Sequence, residues 1–304
     1  MVMNAQIIEN YQTAAKVHEL CRAKAREMIQ PGVKLLDIAD EIEALTKKHG
    51  CGIAFPVNLS LNDIAAHYTP SDTDDTVVQK GDVLKVDIGV HKNGYLVDAA
   101  ITLDFAQTKE TKNLIAATQA ALEAGFAEVK EGVHVGHLGG AIEKTLKSFG
   151  VDPIGNLSGH GIDEYTAHCS PSIPNVDTGE TDALEDGHAY AMEPFASIHG
   201  NGRISDAGTV EIFEVNGAVP GIRNTNARKL LDFCAEKYEG LPFAERWVAR
   251  DLDMSAFSRK TAMRELVKYG ALEAHGVLKE KKGALVAQFE TTMLINKGKV
   301  IRLV

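Results

Sequence analysis

The chain has 304 residues, 44% hydrophobic and 24% charged, with 32 Lys and Arg against 42 Asp and Glu for a formal charge of −10. This is the composition of a soluble globular protein of one large or two modest domains, and no apolar run is long enough to cross a bilayer. The acidic balance argues against a protein whose main partner is the nucleic-acid backbone or an anionic membrane.

Residues 4–29 place Ile7, Tyr11, Ala14, Ala15 and His18 at helical spacing, and Pro31-Gly32 stops that helix. Glu9, Lys16 and Glu19 interrupt the stretch where a secretory signal needs an unbroken apolar run, so a cytoplasmic protein is expected. Cys21, Cys51, Cys169 and Cys234 form no Cys-x-x-Cys pair and read as reduced thiols. A second helix is predicted over about 36–49, ended by Gly50, followed by short apolar strands over 51–66. Residues 82–103 alternate in polarity about Lys92-Asn93-Gly94, a strong hairpin signal. Helices are predicted at 109–129 and 134–149, a Gly-rich loop at 155–161, and strands at about 188–199 and 208–215. Residues 222–282 differ, with helical patterns near 225–238 and 255–269 and 13 basic against 9 acidic residues. That +4 balance reads as a solvated helical surface, with an RNA-facing one as the alternative. A last strand pair at about 284–302 turns at Asn296-Lys297-Gly298. Helices followed by a hairpin occur in both halves, which hints at an internal duplication. The predicted class is α/β or α+β with a mixed sheet.

Five ionisable residues sit where burial is expensive. Asp87 lies in VLKVDIGV, Asp98 in YLVDAAIT, Glu193 in AYAMEPFASI, Glu290 in ALVAQFETTMLI, and His160 in the SGHGI loop. A buried carboxylate must be protonated, paired or bound to metal. A hairpin turn centred on Lys92-Asn93 sets Asp87 directly opposite Asp98. One centred on Asn93-Gly94 sets Asp87 opposite Ala100, with Asp98 its diagonal neighbour on the same face. Either two-residue turn brings the carboxylates together, whereas a three-residue loop would separate them unless a bulge restored the register. Four carboxylates and one imidazole suit hard or borderline divalent metals such as Mn, Fe, Co or Zn, and two such ions support metal-assisted hydrolysis. The Gly155–Gly159 run lacks the Walker lysine, so it is expected to be a tight turn presenting His160 rather than a phosphate loop.

The order of these five residues resembles the ligand set of the methionine aminopeptidases and their pita-bread-fold relatives. The strings AFPVNLSLNDIAAHYTP, DVLKVDIGVHKNGYLVD, NLSGHGI, SIPN, AMEPFA and QFETT are similar to the type 2 members, and the lack of a long polybasic N-terminal extension resembles their archaeal form. The resemblance implies a pseudo-two-fold mixed sheet flanked by helices, with a catalytic domain of 1–221 and 283–304 and a helical insertion of 222–282. It implies two divalent metal ions: Asp87 on one, Asp98 and Glu290 shared, His160 and Glu193 on the other. Glu193 would also act as general base. His67 would stand near the substrate amine, His168 near the scissile carbonyl, and Phe55 in the methionine pocket. Implied partners are nascent polypeptide N-termini, with transient ribosome contact, no membrane, no specific nucleic acid and a monomeric state. An X-Pro-type peptidase and a non-catalytic ribosome- or nucleic-acid-associated protein of the same fold are the alternatives.

Overall fold

The Asn4 side chain accepts from the Ile7 N–H at 2.9 Å and so opens the first helix, α1 (Ala5–Met28), which stops before Gly32 at φ 98°. The computed structural model describes residues 3–217 and 221–304; residues 1–2 and 218–220, which the expected catalytic domain includes, lie outside the described residues. Helix α2 (Leu35–Lys48) ends at Gly50, again left-handed. The second half repeats this unit. Helix α3 (Lys109–Ala127), opened by a Thr108–Thr111 capping box, is followed by α4 (Val135–Ser148), which ends at Gly150. The connecting hydrogen bonds repeat too: Gly32 and Gly132 donate to Val78 and Leu184, whose own N–H groups donate back to Val33 and Val133. The duplication hinted at in the sequence is thus present in the backbone.

The first sheet, in the order β1-β3-β4, holds β1 (Gly52–Leu61), β3 (Val83–Lys92) and β4 (Tyr95–Asp104), while β2 (Ile64–Ala66) leaves to join another. Then come β5 (Asp152–Pro153), β6 (Ser158–Asp163), β7 (Thr166–Pro174), β8 (His188–Met192), β9 (Phe195–Ile198) and β10 (Ser205–Val215). Helices α5 (Thr225–Tyr238), α6 (Glu245–Asp251) and α7 (Ala256–Lys268) follow, with β11 (Phe243–Ala244) between the first two. Strand β12 (Leu272–Lys279) adds sheet where only helices were predicted, pairing with β10 and β2. The chain closes with β13 (Leu285–Gln288), β14 (Thr291–Asn296) and β15 (Lys299–Arg302). A five-stranded sheet β15-β14-β8-β6-β7 and a three-stranded sheet β13-β9-β5 complete the second half.

One expectation is corrected here. His160 is not on a loop: Ser158–Asp163 is a strand between β7 and β8. Its glycines permit this, because a Cβ on Gly159 would lie 2.3 Å from the Ala191 carbonyl oxygen, and one on Gly161 would lie 2.5 Å from that of Ser170. Glycine here serves close strand approach rather than a turn.

The main core lies between α1–α4 and the sheets, and a second one gathers Leu230, Phe243, Trp247, Met263 and Leu266 around α5–α7. Buried in the main core, His18 of α1 donates Nε2–H to the Ala99 carbonyl at 3.2 Å, while its Nδ1 has no partner. Burial pulls its pKa from 6.5 to about 4. A base depressed in the fold contributes stability that is present above pH 6.5 and lost as pH falls through 4. His18→Gln, which keeps an N–H for Ala99 but does not titrate, should therefore flatten the acid limb of stability by about 3 kcal/mol in urea unfolding followed from neutral pH to pH 4. An unchanged acid limb would show that His18 does not drive it.

Candidate metal centre

The hairpin register is the second of the two anticipated. Lys92 pairs with Tyr95, leaving Asn93 and Gly94 as a two-residue turn with φ 51° and 82°, the left-handed pair that a type I′ turn demands. Asp87 therefore faces Ala100, and Gly89 faces Asp98. The two aspartates are diagonal neighbours on one face of the sheet.

Glu193 and Glu290 were expected within strands; each instead occupies a break between two. Glu193 lies between β8 and β9, and Glu290 between β13 and β14. Met192 pairs with Thr291 on one side of the breaks and Phe195 with Gln288 on the other, so the same register carried across sets Glu193 opposite Glu290. Strand β6 runs beside β8 with His160 opposite Ala191. The His160 Nε2 consequently lies 3.6 Å from both Asp98 Oδ2 and Glu193 Oε1. Donor atoms of Asp98, His160 and Glu290 all fall within 4.8 Å of one another.

Gln288 and Thr292 were not singled out in the sequence, and they organise this cluster. Carboxylates only accept, so the Gln288 amide turns its nitrogen to them, 3.4 Å from Asp87 Oδ2, 3.2 Å from Glu193 Oε2 and 3.3 Å from Glu290 Oε2. The Thr292 hydroxyl accepts from the Asp98 N–H at 2.8 Å and donates to its carbonyl at 2.7 Å, tying β4 to β14. Gln288 precedes Glu290 by two residues and Thr292 follows it by two, the strand period that could have marked both.

One neutral amide does not balance four carboxylates. Burial raises the Asp87 pKa to about 6. Burial and then the neighbouring carboxylates push Asp98, Glu193 and Glu290 well above the ordinary range. Burial also pulls His160 down to about 4, leaving a neutral imidazole able to ligate. Asp87 Oδ1, Asp98 Oδ1 and Glu290 Oε1 are buried without any hydrogen-bond partner. Unpartnered buried oxygens beside a neutral imidazole fit divalent metal, which supplies the missing positive charge.

The cluster is the floor of a cavity of about 430 Å³ whose lining also includes Phe55, His67, His168, Phe195, Ile212 and Leu157. The Phe55 ring packs against the hairpin where Gly89 opposite has no side chain; a Cβ there would sit 2.3 Å from the ring. His67 is held at φ 63°, a conformation that a non-glycine residue rarely adopts, and its Nδ1–H donates to the Gly276 carbonyl at 3.2 Å. That bond fixes the tautomer and leaves Nε2 as an acceptor. Burial, then the nearby His275, pulls its pKa to about 4. His168 is exposed at the rim with its ring centroid 4.2 Å from that of His160. The structure thus brings all eight anticipated residues to one cavity and adds Asn58, Glu214, Glu273 and His275 to its walls.

Residues 9–229 match the metallopeptidase family M24. The chain is 39% identical over 294 residues to a methionine aminopeptidase of Thermococcus onnurineus, covering 95% of this chain and 98% of the relative. It is 38% identical over 296 residues to one of Archaeoglobus fulgidus, covering 97% and 98%. Among solved structures, a thermophilic Arx1 superposes with a TM-score of 0.85 at 19% identity, over 99% of this chain and 91% of the other. A methionine aminopeptidase of Thermotoga maritima gives 0.71 at 22% identity, over 100% and 98%. At these identities the structural matches speak for the fold. Among the described residues no helix is long and apolar enough to cross a membrane.

Proposed function

The chain belongs to metallopeptidase family M24, among its methionine aminopeptidases of the pita-bread fold, and from that premise we propose that it removes the N-terminal initiator methionine of proteins whose second residue is small. The observation that carries this reading is the convergence of Asp87, Asp98, His160, Glu193 and Glu290 on the floor of one cavity whose wall is apolar at Phe55, Phe195 and Ile212. The wall suits an unbranched thioether side chain, and sterics beside it limit the next residue; such pockets discriminate a methylene by only ~1–3 kcal/mol.

In this reading the five floor residues hold two divalent ions drawn from Mn, Fe, Co and Zn. Bound metal would supply Lewis-acid polarisation of the scissile carbonyl and acidify water toward neutral pH. Glu193, whose side chain is 12% exposed and opens on the cavity, takes the proton from the attacking water and passes it to the leaving amine. His67 accepts a hydrogen bond at Nε2 from the substrate amine or peptide N–H, and it stays neutral to do so. His168 contacts the scissile carbonyl from the rim. Residues 222–282 form an insertion on a catalytic domain of 1–221 and 283–304. The enzyme works as a cytoplasmic monomer on emerging chains, in transient contact with ribosomes.

The test is methionine release by metal-stripped protein given Mn, Fe, Co or Zn in turn, with Met-Ala-Ser, Leu-Ala-Ser, Met-Leu-Ser and Gly-Pro-Ala. Release confined to Met-Ala-Ser and dependent on added metal is expected. Cleavage of Gly-Pro-Ala would move the chain to the X-Pro branch, and inactivity with metal bound would favour a binding role.

A further inference from the structure

Strands β10 and β12 run antiparallel along one wall of the cavity, and their registered pairs alternate between it and the second core. Ile212 opposite His275, and Glu214 opposite Glu273, line the cavity; Phe213 opposite Ala274, between them, packs into that core. Two residues along a strand advance about 6.7 Å. The glutamate pair therefore stands one such step beyond His275, whose ring meets His67 edge-on with centroids 6.0 Å apart. The step leads outward. Asp98 and Glu290 on the floor are 4% exposed, each with a buried oxygen lacking a partner, whereas the Glu214 side chain is 32% exposed and Glu273 is exposed.

Like charges directly opposite on a sheet repel. Among the described residues neither glutamate pairs with Lys or Arg; Glu214 Oε2 lies 3.3 Å from His275 Nε2, which itself makes no hydrogen bond. A peptide whose amino end reaches the floor and whose chain follows the β10–β12 wall outward passes this pair. With its scissile bond beside His67, an extended chain advancing about 3.3 Å per residue brings its third residue there. We infer that Glu214 and Glu273 form an electronegative gate that selects substrates with a cationic side chain at the third residue. The inference rests on the aminopeptidase reading above and adds to it which sequences are processed fastest.

The experiment compares Met-Ala-Lys, Met-Ala-Gln and Met-Ala-Glu, all as C-terminal amides, with metal-loaded protein. The expected order of kcat/KM is Lys above Gln above Glu, by roughly three- to tenfold per step, carried mainly by KM and shrinking at high salt. Glu273→Gln should narrow the spread, and E273K should reverse it. Equal cleavage of the three peptides by the unsubstituted enzyme overturns the inference while leaving the peptidase reading intact. An unaltered preference in both the Glu273→Gln and Glu214→Gln proteins overturns the assignment to this pair. Failure to cleave even Met-Ala-Gln overturns the reading and the inference together.

Discussion

Asp98→Asn should lower kcat/KM for Met-Ala-Ser roughly 10³-fold and remove most of the bound metal, because it takes a negative charge from the centre of the donor cluster while keeping the side chain's shape. The backbone bonds that Asp98 makes to Thr292 do not involve the side chain, so the fold should persist. In metal-stripped protein the same change should stabilise. Asp98 is 4% exposed, and burial, then the neighbouring Asp87 and Glu193 carboxylates, raise its pKa. An acid whose pKa is raised in the fold contributes stability that is present below its unfolded pKa and lost as pH rises through the folded one. Asp87 titrates at about 6, so metal-stripped protein should lose stability as pH rises from about 4 through 6 and above. Metal should abolish that loss, and Asp98→Asn should reduce it without metal. Melting temperatures in chelator and in added metal across this range, beside metal content, check each part. Retention of full metal and activity by Asp98→Asn would remove Asp98 from the ligand set.

How far the sequence could be read depends on whether local pattern or long-range pairing sets the outcome. The longer helices were legible because apolar spacing and stops are local, with glycines at 32 and 50 beyond the first two, whereas the seven-residue α6 was missed because so short a stretch shows no period. The hairpin was legible to within one of two registers, and Asn93-Gly94 resolves it because those two residues alone take left-handed φ at the tip. His160 was assigned to a loop and lies in a strand, since the glycine signal for a turn is the same as that for close strand approach. Gln288 escaped notice because its role exists only when three carboxylates from separate strands meet around it. The gate glutamates were missed for a similar reason: Glu214 and Glu273 become neighbours only through the β10–β12 pairing, which joins the 222–282 stretch to β10.

Long-range chemistry also governs the junction between that stretch and the first half, where Arg246→Met should cost about 3–5 kcal/mol because it leaves a buried carboxylate without its cation. Glu43 of α2 is 2% exposed and accepts from the Arg246 guanidinium, from Trp247 Nε1 at 2.7 Å and from the Val57 N–H at 3.3 Å. Arg246 also donates to Thr69 Oγ1 at 2.6 Å and to the Pro70 carbonyl at 3.1 Å, and Thr69 in turn donates to the Val57 carbonyl at 2.8 Å. The guanidinium thus ties α2, β1, α6 and the segment two residues beyond His67 into one network, so its loss should raise KM as well as lower stability. Burial already raises the Glu43 pKa against the pull of Arg246. Without that pull the carboxyl protonates more readily, and the deficit should shrink as pH falls. Urea unfolding at pH 5.5 and pH 8 measures this: the Arg246→Met penalty should be larger at pH 8. Adding Glu43→Leu should recover much of it, since a buried pair replaced by apolar side chains loses its desolvation cost along with its attraction. Equal penalties at both pH values, with no recovery in the double variant, would mean that packing rather than the stranded charge sets the loss.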